Sequence, residues 1–531
     1  MRKGLQEIMA FIRRKCMLLL TVLMTAAALL CPDRSLASSQ LTGLVLGIQS
    51  TKTLNIRPFD PLERDMLSVY NIVYESMIVL DDNYLPQGCL AESWEESGGG
   101  KTWTFHIRSN LTFSDGTPLT AHDVVASAEY ILARASDENT TDHGFYANLN
   151  YYVSSISAKD DYTVVVRAKR KCFSLLYQMT FPVVPASQVN ADQPLGSGPY
   201  RIEEFHAGDY LWLQANTNWW KAQPAVREIM VEFHETAPSV IESYEYARVN
   251  TIFTRSIAGA QYKTGTASIT MSYRTNQLEC LYMNNGSEEL TPEVRKAIRY
   301  VVDRSKIISN VYSGLAEPTN FPFYPGTWMY NSDLDSSFTR NPDEARRLLE
   351  EAGWADSDSN GILDRIDSDG KLHNLHLSFY VYEEPDNDVR TEAANQIASQ
   401  LAEVGISCKV EPLTMANLKE RLSSGRFNLA LVSFAMDVSP DPGFMLMRGN
   451  TGNYCRYKSA KMNELFEALR TKVTQEEYRS KLMEIQALFY EDCPFICLYY
   501  RTGNVITRHM YTTCRDVREY ELLRGIESYK E

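Results

Sequence analysis

The chain has 531 residues, a formal net charge of −14, 44% apolar residues and 11% aromatic residues. A chain of that length and apolar content buries a large core and forms more than one domain. Its acidic surface repels phosphate backbones and excludes nucleic acid as a natural partner.

Arg13, Arg14 and Lys15 precede an apolar run over residues 17–30 and then Ser35-Leu36-Ala37. A basic region, a short apolar core and a small-x-small site mark a secretory signal, so residues 1–37 are read as a signal peptide removed after Ala37. Without them the formal charge becomes −18. Cys31 raises a lipid anchor, but Leu30 stands where lipid attachment wants a small residue, so plain cleavage is preferred. No membrane span is expected after residue 37. Eight of the ten cysteines follow Ala37 without the spacing of a tight disulfide framework. Cys493 and Cys497, read on one strand, would sit about 13 Å apart and not pair with each other.

Leu44 to Ile48 alternates as a strand, and a helix is expected from Leu62 to Ser76. The next stretch, Glu92–Val125, organises the chain. After Ser97-Gly98-Gly99-Gly100, Trp103, Phe105 and Ile107 fall on one face and Thr104, His106 and Arg108 on the other, the pattern of a half-buried strand. Ser114-Asp115-Gly116 is a turn, and Thr120 opens a helix with Val124, Ala128, Ile131 and Leu132 inward. Gly-Gly-Gly-Lys-Thr looks like part of a phosphate-binding loop. The pattern needs a glycine where Glu95 stands and a helix where a strand follows, so it is rejected.

Ser93-Trp94-Glu95, Thr102-Trp103-Thr104-Phe105, Phe113-Ser114-Asp115-Gly116-Thr117-Pro118 and Asp123-Val124-Val125, in that order, resemble the peptide-type family 5 extracellular solute-binding proteins of ABC importers. Further landmarks are Tyr74-Glu75-Ser76, Gly196-Ser197-Gly198-Pro199-Tyr200, Asn216-Thr217-Asn218-Trp219-Trp220, Arg295-Lys296-Ala297-Ile298 and Asp303-Arg304. The likeness runs from about residue 44 to about residue 508. It implies an α/β, bilobed periplasmic-binding-protein type II fold with an extra domain (cluster C) and a ligand cleft between lobes. Domain I would be discontinuous, 38–80 with 191–280 and 491–531; domain II would be 81–190 and domain III 281–490. The implied function is capture of a small solute, an oligopeptide or dipeptide, by lobe closure and delivery to ABC permease subunits at the membrane. The alternatives are a nickel chelate or oligosaccharide on the same scaffold, or a secreted hydrolase. A monomer without required cofactor is expected.

The glycines of Gly196-Ser197-Gly198 permit positive φ ahead of a new strand, and Gly-Ser-Gly lacks the full nucleophile elbow. Leu290-Thr291-Pro292 starts a helix with proline in its first turn, and Asn341-Pro342 starts another that Gly353 ends. In the loop that follows, Asp356, Asp358, Asn360, Ile362, Asp364 and Asp367 supply oxygens, with Gly361 at the sixth position. That is calcium-loop spacing, with Asp in place of the usual Glu at the end. A structural calcium ion and a plain solvated turn are both open readings.

From Leu375 the pattern alternates strand and helix. Leu429–Ala435, apolar on both faces except at Ser433, reads as a central parallel strand. In an open α/β sheet, ligands sit beyond the carboxyl ends of strands, which places Asp437 at a cleft. The family resemblance implies that Asp437 pairs with the α-ammonium of a peptide, since a desolvated cation needs a counter-charge. Three residues separate Asp437 from Asp441-Pro442, where the simpler family pattern has two. A turn-capping role is the plainer reading. His373 and His376 would face opposite sides of a strand and share no metal. Spacing assembles no Ser/His/Asp or Cys/His set.

Overall fold

Two long antiparallel strands, Ile269–Met283 and Phe495–Thr507, form the spine of the molecule. The computed structural model describes residues 43–50, 55–60, 63–137, 144–264, 268–366, 369–385, 387–508 and 517–529. The leader with Cys31, and Asp367 of the acidic loop, lie outside them.

On one side of the spine stand Leu429–Ala435, His376–Tyr382 and Ser407–Leu413; on the other stand Thr251–Thr254, Leu44–Gln49, Glu228–His234, Tyr210–Ala215 and Tyr200–His206. Ala316–Pro318 adds to Phe495–Thr507 and completes an eleven-stranded sheet. The ladder between the two spine strands is broken once between Arg274 and Leu278 and again between Glu279 and Cys280. Thr275 Oγ1 fills the first break by donating to Arg501 O at 2.8 Å and accepting from Gln277 N.

Leu429–Ala435 shows how the sheet holds two cores. Leu429 and Leu431 join the cluster around Ile298, Phe379 and Leu281, while Ala430 and Val432 join the cluster that contains Tyr282 and Phe495. Both faces are buried, as expected. The pairing is parallel only toward His376–Tyr382; toward Ile269–Met283 it is antiparallel, because that neighbour arrives from the other half of the sheet.

A separate antiparallel sheet of four strands has the order Ala91–Ser97, Thr102–Ile107, Thr163–Ala168, Val153–Asp160. Trp103, Phe105 and Ile107 are at most 3% exposed, each worth about 1.5–3 kcal/mol of burial. Gly100 therefore leads into a strand, and the phosphate-loop rejection holds. The helix Ala121–Ala135 covers this sheet, with Asp123 Oδ2 taking the Thr120 N–H at 2.8 Å.

Three local expectations change. The helix expected over 62–76 spans only Arg64–Tyr70, because Ile72 O and Val73 O accept from Tyr200 N and Gly198 N, and Glu75 O accepts from Val183 N. Tertiary pairing outbids helix continuation there. Gly196 and Gly198 do not adopt positive φ. They are needed for close approach: an added Cβ would lie 2.0 Å from Val73 O at Gly196 and 2.6 Å from Ile72 O at Gly198. Cys493 is not on a strand but ends the helix Gln475–Asp492 in a left-handed conformation (φ 46°). The seven described cysteines are free.

Candidate ligand-binding site

Where Leu429–Ala435 ends, burial falls from complete at Leu431 to exposure at Ala435, and the chain opens into two cavities of about 610 and 800 Å³. Both are lined by Asn148, Tyr324, Ala435, Met436 and Asp437. Asp437 thus stands where the two spaces meet, beyond the carboxyl end of a central strand.

Asp437 Oδ1 accepts from Ser439 N at 3.1 Å, and Oδ2 accepts from Asn148 Nδ2 at 3.1 Å. Asn148 belongs to the polypeptide of the four-stranded sheet, so this hydrogen bond spans the opening between two groups of elements. No ion pair to Asp437 occurs among the described residues. Its carboxyl stays open to the cavities while protein surrounds it. Although Asp437 itself is exposed to solvent, desolvation by the protein mass around it pushes its pKa above the ordinary aspartate value, opposed by the amides of Ser439, Asn148 and Val438. An ionised group held this way favours an incoming cation.

The second aspartate of the segment has a different task. Asp441 receives Arg470 through Nε at 2.7 Å and Nη2 at 3.2 Å, and Gly443 N at 3.0 Å. It is spent on holding the loop, so the extra residue between the two aspartates does not bring Asp441 into Asp437's place. Tyr324 braces the same corner, donating to Met436 O at 3.2 Å and stacking on Tyr84 with ring centroids 5.1 Å apart.

Sequence reasoning missed several walls of the site. The segment Arg518–Glu527 closes one side of the smaller cavity. Tyr520 OH there accepts from Asn276 Nδ2 at 2.9 Å, while its ring meets Phe145 edge-on at 5.2 Å. Glu75 falls in the stretch 62–76 expected to be helical. It lines the smaller cavity with its carboxylate filled: Trp219 and Trp220 Nε1 donate at 3.1 and 3.0 Å, and Ser197 Oγ at 3.0 Å. The quoted Tyr-Glu-Ser, Gly-Ser-Gly-Pro-Tyr and Trp-Trp segments converge here, which no single segment signals.

The acidic loop lies elsewhere. Carboxylate oxygens of Asp356, Asp358 and Asp364 come within 4.8 Å of one another. Asn360 N and Gly361 N donate to Asp356, while Asp364 accepts from Ser357 N and Oγ at 2.9 and 2.7 Å. Asn360 Oδ1 accepts from Ile362 N.

The cleft brings together Asn148, from the chain of the four-stranded sheet, and Asp437, beyond a strand of the large one, and no ion pair to Asp437 occurs among the described residues, an arrangement that suits capture of a solute. The model of the bacterial extracellular solute-binding proteins, family 5, matches residues 86–454. The chain belongs to this family, whose members serve ABC importers, and its fold is that of the family's periplasmic binding proteins. It is 26% identical over 464 residues to the oligopeptide-binding protein AppA of Bacillus subtilis, covering 82% of each chain. The structure of that AppA in complex with a nonapeptide is similar at TM-score 0.63 and 22% identity, covering 92% of this chain and 98% of the other. NikA from Brucella suis, in complex with Fe(III)-EDTA, is similar at TM-score 0.73 and 19% identity, covering 92% and 99%. The relatives are binding proteins rather than enzymes.

Proposed function

We propose that this protein is the extracytoplasmic solute-binding component of an ABC importer, that it captures oligopeptides, and that it hands them to membrane permease subunits. Export follows from the signal pattern of residues 1–37, and no described helix is long and apolar enough to cross a membrane. The observation that carries the peptide assignment is Asp437, a carboxylate with two hydrogen-bond donors and no cation at the junction of two cavities. The α-ammonium of a peptide completes it. Backbone hydrogen bonds would hold the rest of an extended ligand, which leaves side-chain selectivity low. The reading also draws on the nonapeptide complex of the relative AppA.

Lobe closure fits the spine. The two long strands Ile269–Met283 and Phe495–Thr507 lie between the two halves of the sheet, and we read the ladder break at Arg274–Leu278 as the hinge. Asn148 and Asp437 then form a contact made on closing.

The test is mass spectrometry of small molecules released by denaturing the purified mature protein, with calorimetry against peptides and their N-acetylated forms. A ladder of mixed short peptides and a large penalty for acetylation are expected. Recovery of a metal chelate or a sugar, with no peptide affinity, would keep the fold and overturn the substrate. Cleavage of the added peptides would reopen the hydrolase reading.

A further inference from the structure

Just past the second ladder break the two spine strands pair without interruption, Cys280 opposite Cys497, Leu281 opposite Ile496 and Tyr282 opposite Phe495. Facing residues share one side of a sheet, and successive pairs alternate between its sides. The two cores follow this rule: Cys280, Cys497, Tyr282 and Phe495 belong to one cluster, Leu281 and Ile496 to the other. Two cysteines 217 positions apart in the chain therefore lie directly across the ladder with their side chains on the same face. Both are thiols in this structure, and both are 0% exposed.

Opposed residues of an antiparallel pair have Cα atoms about 4.5–5.5 Å apart, and a disulfide accepts roughly 4.4–6.8 Å. The backbone already meets that requirement. The two thiols are hydrogen-bonded to each other, and burial pushes Cys280 well above the ordinary thiol range. Four of the other described cysteines turn their sulfur toward oxygen: Cys89 Sγ lies 3.7 Å from Glu75 Oε1, Cys172 Sγ 3.1 Å from Ser174 Oγ, Cys455 Sγ 3.3 Å from Asn453 Oδ1 and Cys493 Sγ 3.6 Å from Arg295 O. Cys280 and Cys497 turn theirs toward sulfur.

We propose that Cys280 and Cys497 are an oxidation site, joined in a disulfide that fastens the two spine strands together when the chain folds outside the cytoplasm. The oxidant is itself a disulfide of the thiol-exchange class. The thiolate of one cysteine attacks it and releases one of its sulfurs as a thiol; the second cysteine attacks the mixed disulfide, the Cys280–Cys497 bond forms, and the other sulfur leaves as a thiol. Two electrons and both cysteine protons end on the oxidant. Timing follows from burial, since a thiol kept protonated in an apolar core is a poor nucleophile and out of an oxidant's reach. The bond forms while the strands are still closing and is then sealed. Because the pair follows the irregularity at Glu279–Cys280, it stiffens the spine beyond the Arg274–Leu278 break and leaves that break free to bend. Nothing in it depends on which solute the cleft takes.

The test starts from the mature protein, denatured and reduced, then refolded either with a mixture of oxidised and reduced glutathione or with reductant alone. Remaining thiols are alkylated in denaturant, and the unreduced digest is read by mass spectrometry. Under glutathione the peptides bearing Cys280 and Cys497 should appear linked, two hydrogens lighter than the pair of free peptides. That protein should unfold about 2–8 °C above its reduced counterpart, the effect of closing so long a loop. The double variant Cys280→Ala, Cys497→Ala should show one midpoint under both conditions, and protein taken from the extracytoplasmic fraction should carry the same link as the refolded one. Free Cys280 and Cys497 in either preparation, or linkage of one of them to Cys455 or Cys514 in place of the other, would overturn the assignment. A link with no rise in midpoint would overturn its bracing role.

Discussion

Glu75, which is buried, and Asp437, which is exposed, border the same cavity, and desolvation by the surrounding protein raises the carboxyl pKa of each. Their coordination differs. Glu75 is 7% exposed and accepts from two indoles and a hydroxyl, with the Cys89 thiol 3.7 Å away. Asp437 has two amide donors and open space beside it. The first is a knot that ties Ser197, Trp219 and Trp220 to the segment after Arg64–Tyr70. The second is an unfinished coordination shell. A raised carboxyl pKa alone does not mark a site; the number of unfilled acceptor directions facing a cavity does.

The largest effects are expected where the scaffold is broken. Glu75→Ala leaves three donors without an acceptor, and each buried orphan costs about 1–3 kcal/mol. Urea unfolding of the ligand-free protein should show a total loss of about 3–5 kcal/mol. Gly196→Ala sets a methyl 2.0 Å from Val73 O in the same knot, and should cost about 3 kcal/mol by forcing the two segments apart. If Glu75→Ala instead left the midpoint unchanged and removed peptide binding, the contrast between the two carboxylates would collapse.

Asp437→Asn should do the reverse. Stability should move by less than about 1 kcal/mol, because the new amide can still accept one of the two donors. Affinity for a free-amine peptide should drop about 100-fold, the scale of truncating one partner of a desolvated charge pair. Acidity sharpens the contrast. The folded carboxyl titrates above the ordinary aspartate value, so its contribution to stability is full below that value and is lost as pH rises through the raised one. Binding runs oppositely, since the ammonium needs the ionised form. Affinity should hold at neutral pH and fall on acidification through the raised pKa, at a higher pH than an unperturbed aspartate would give. The N-acetylated peptide should show no such fall.

Much of this was legible because local pattern and tertiary environment agree. The alternation at Trp103, Phe105 and Ile107 reports a strand with one buried face, and Thr291 with Pro292 starts the helix Pro292–Val301 where caps predict. Asp437 was found from the two-faced apolar strand before it. What stayed hidden depends on partners distant in sequence. The residues after Tyr70 look helical, yet their carbonyls are claimed by residues 183–200. The glycines at 196 and 198 look like turn glycines, but the carbonyls of Val73 and Ile72, 123 and 126 positions away, fill their Cβ space. Division of labour between Asp437 and Asp441 likewise becomes visible only once Arg470 arrives beside one of them.

The acidic loop extends the contrast to a third kind of carboxylate, one whose partners are its own amides. Asp356 and Asp358 cap Asn360 N and Gly361 N, and Asp364 is 3% exposed with both oxygens turned to Ser357. Each oxygen keeps a second lone pair, so calcium can be added without breaking these bonds, but Asp364 would have to serve Ser357 and the ion together. That sharing predicts weak binding with a small energetic signature. At a calcium concentration equal to its dissociation constant, the protein gains only about 0.4 kcal/mol. A thermal-unfolding series from calcium-free buffer to tens of millimolar calcium should show a shallow rise in midpoint, absent in Asp358→Asn and absent with magnesium, which demands a tighter octahedron. A flat series for the unaltered protein would make the loop a self-capped turn and place Asp356, Asp358 and Asp364 with Glu75, among the carboxylates whose donors are already supplied.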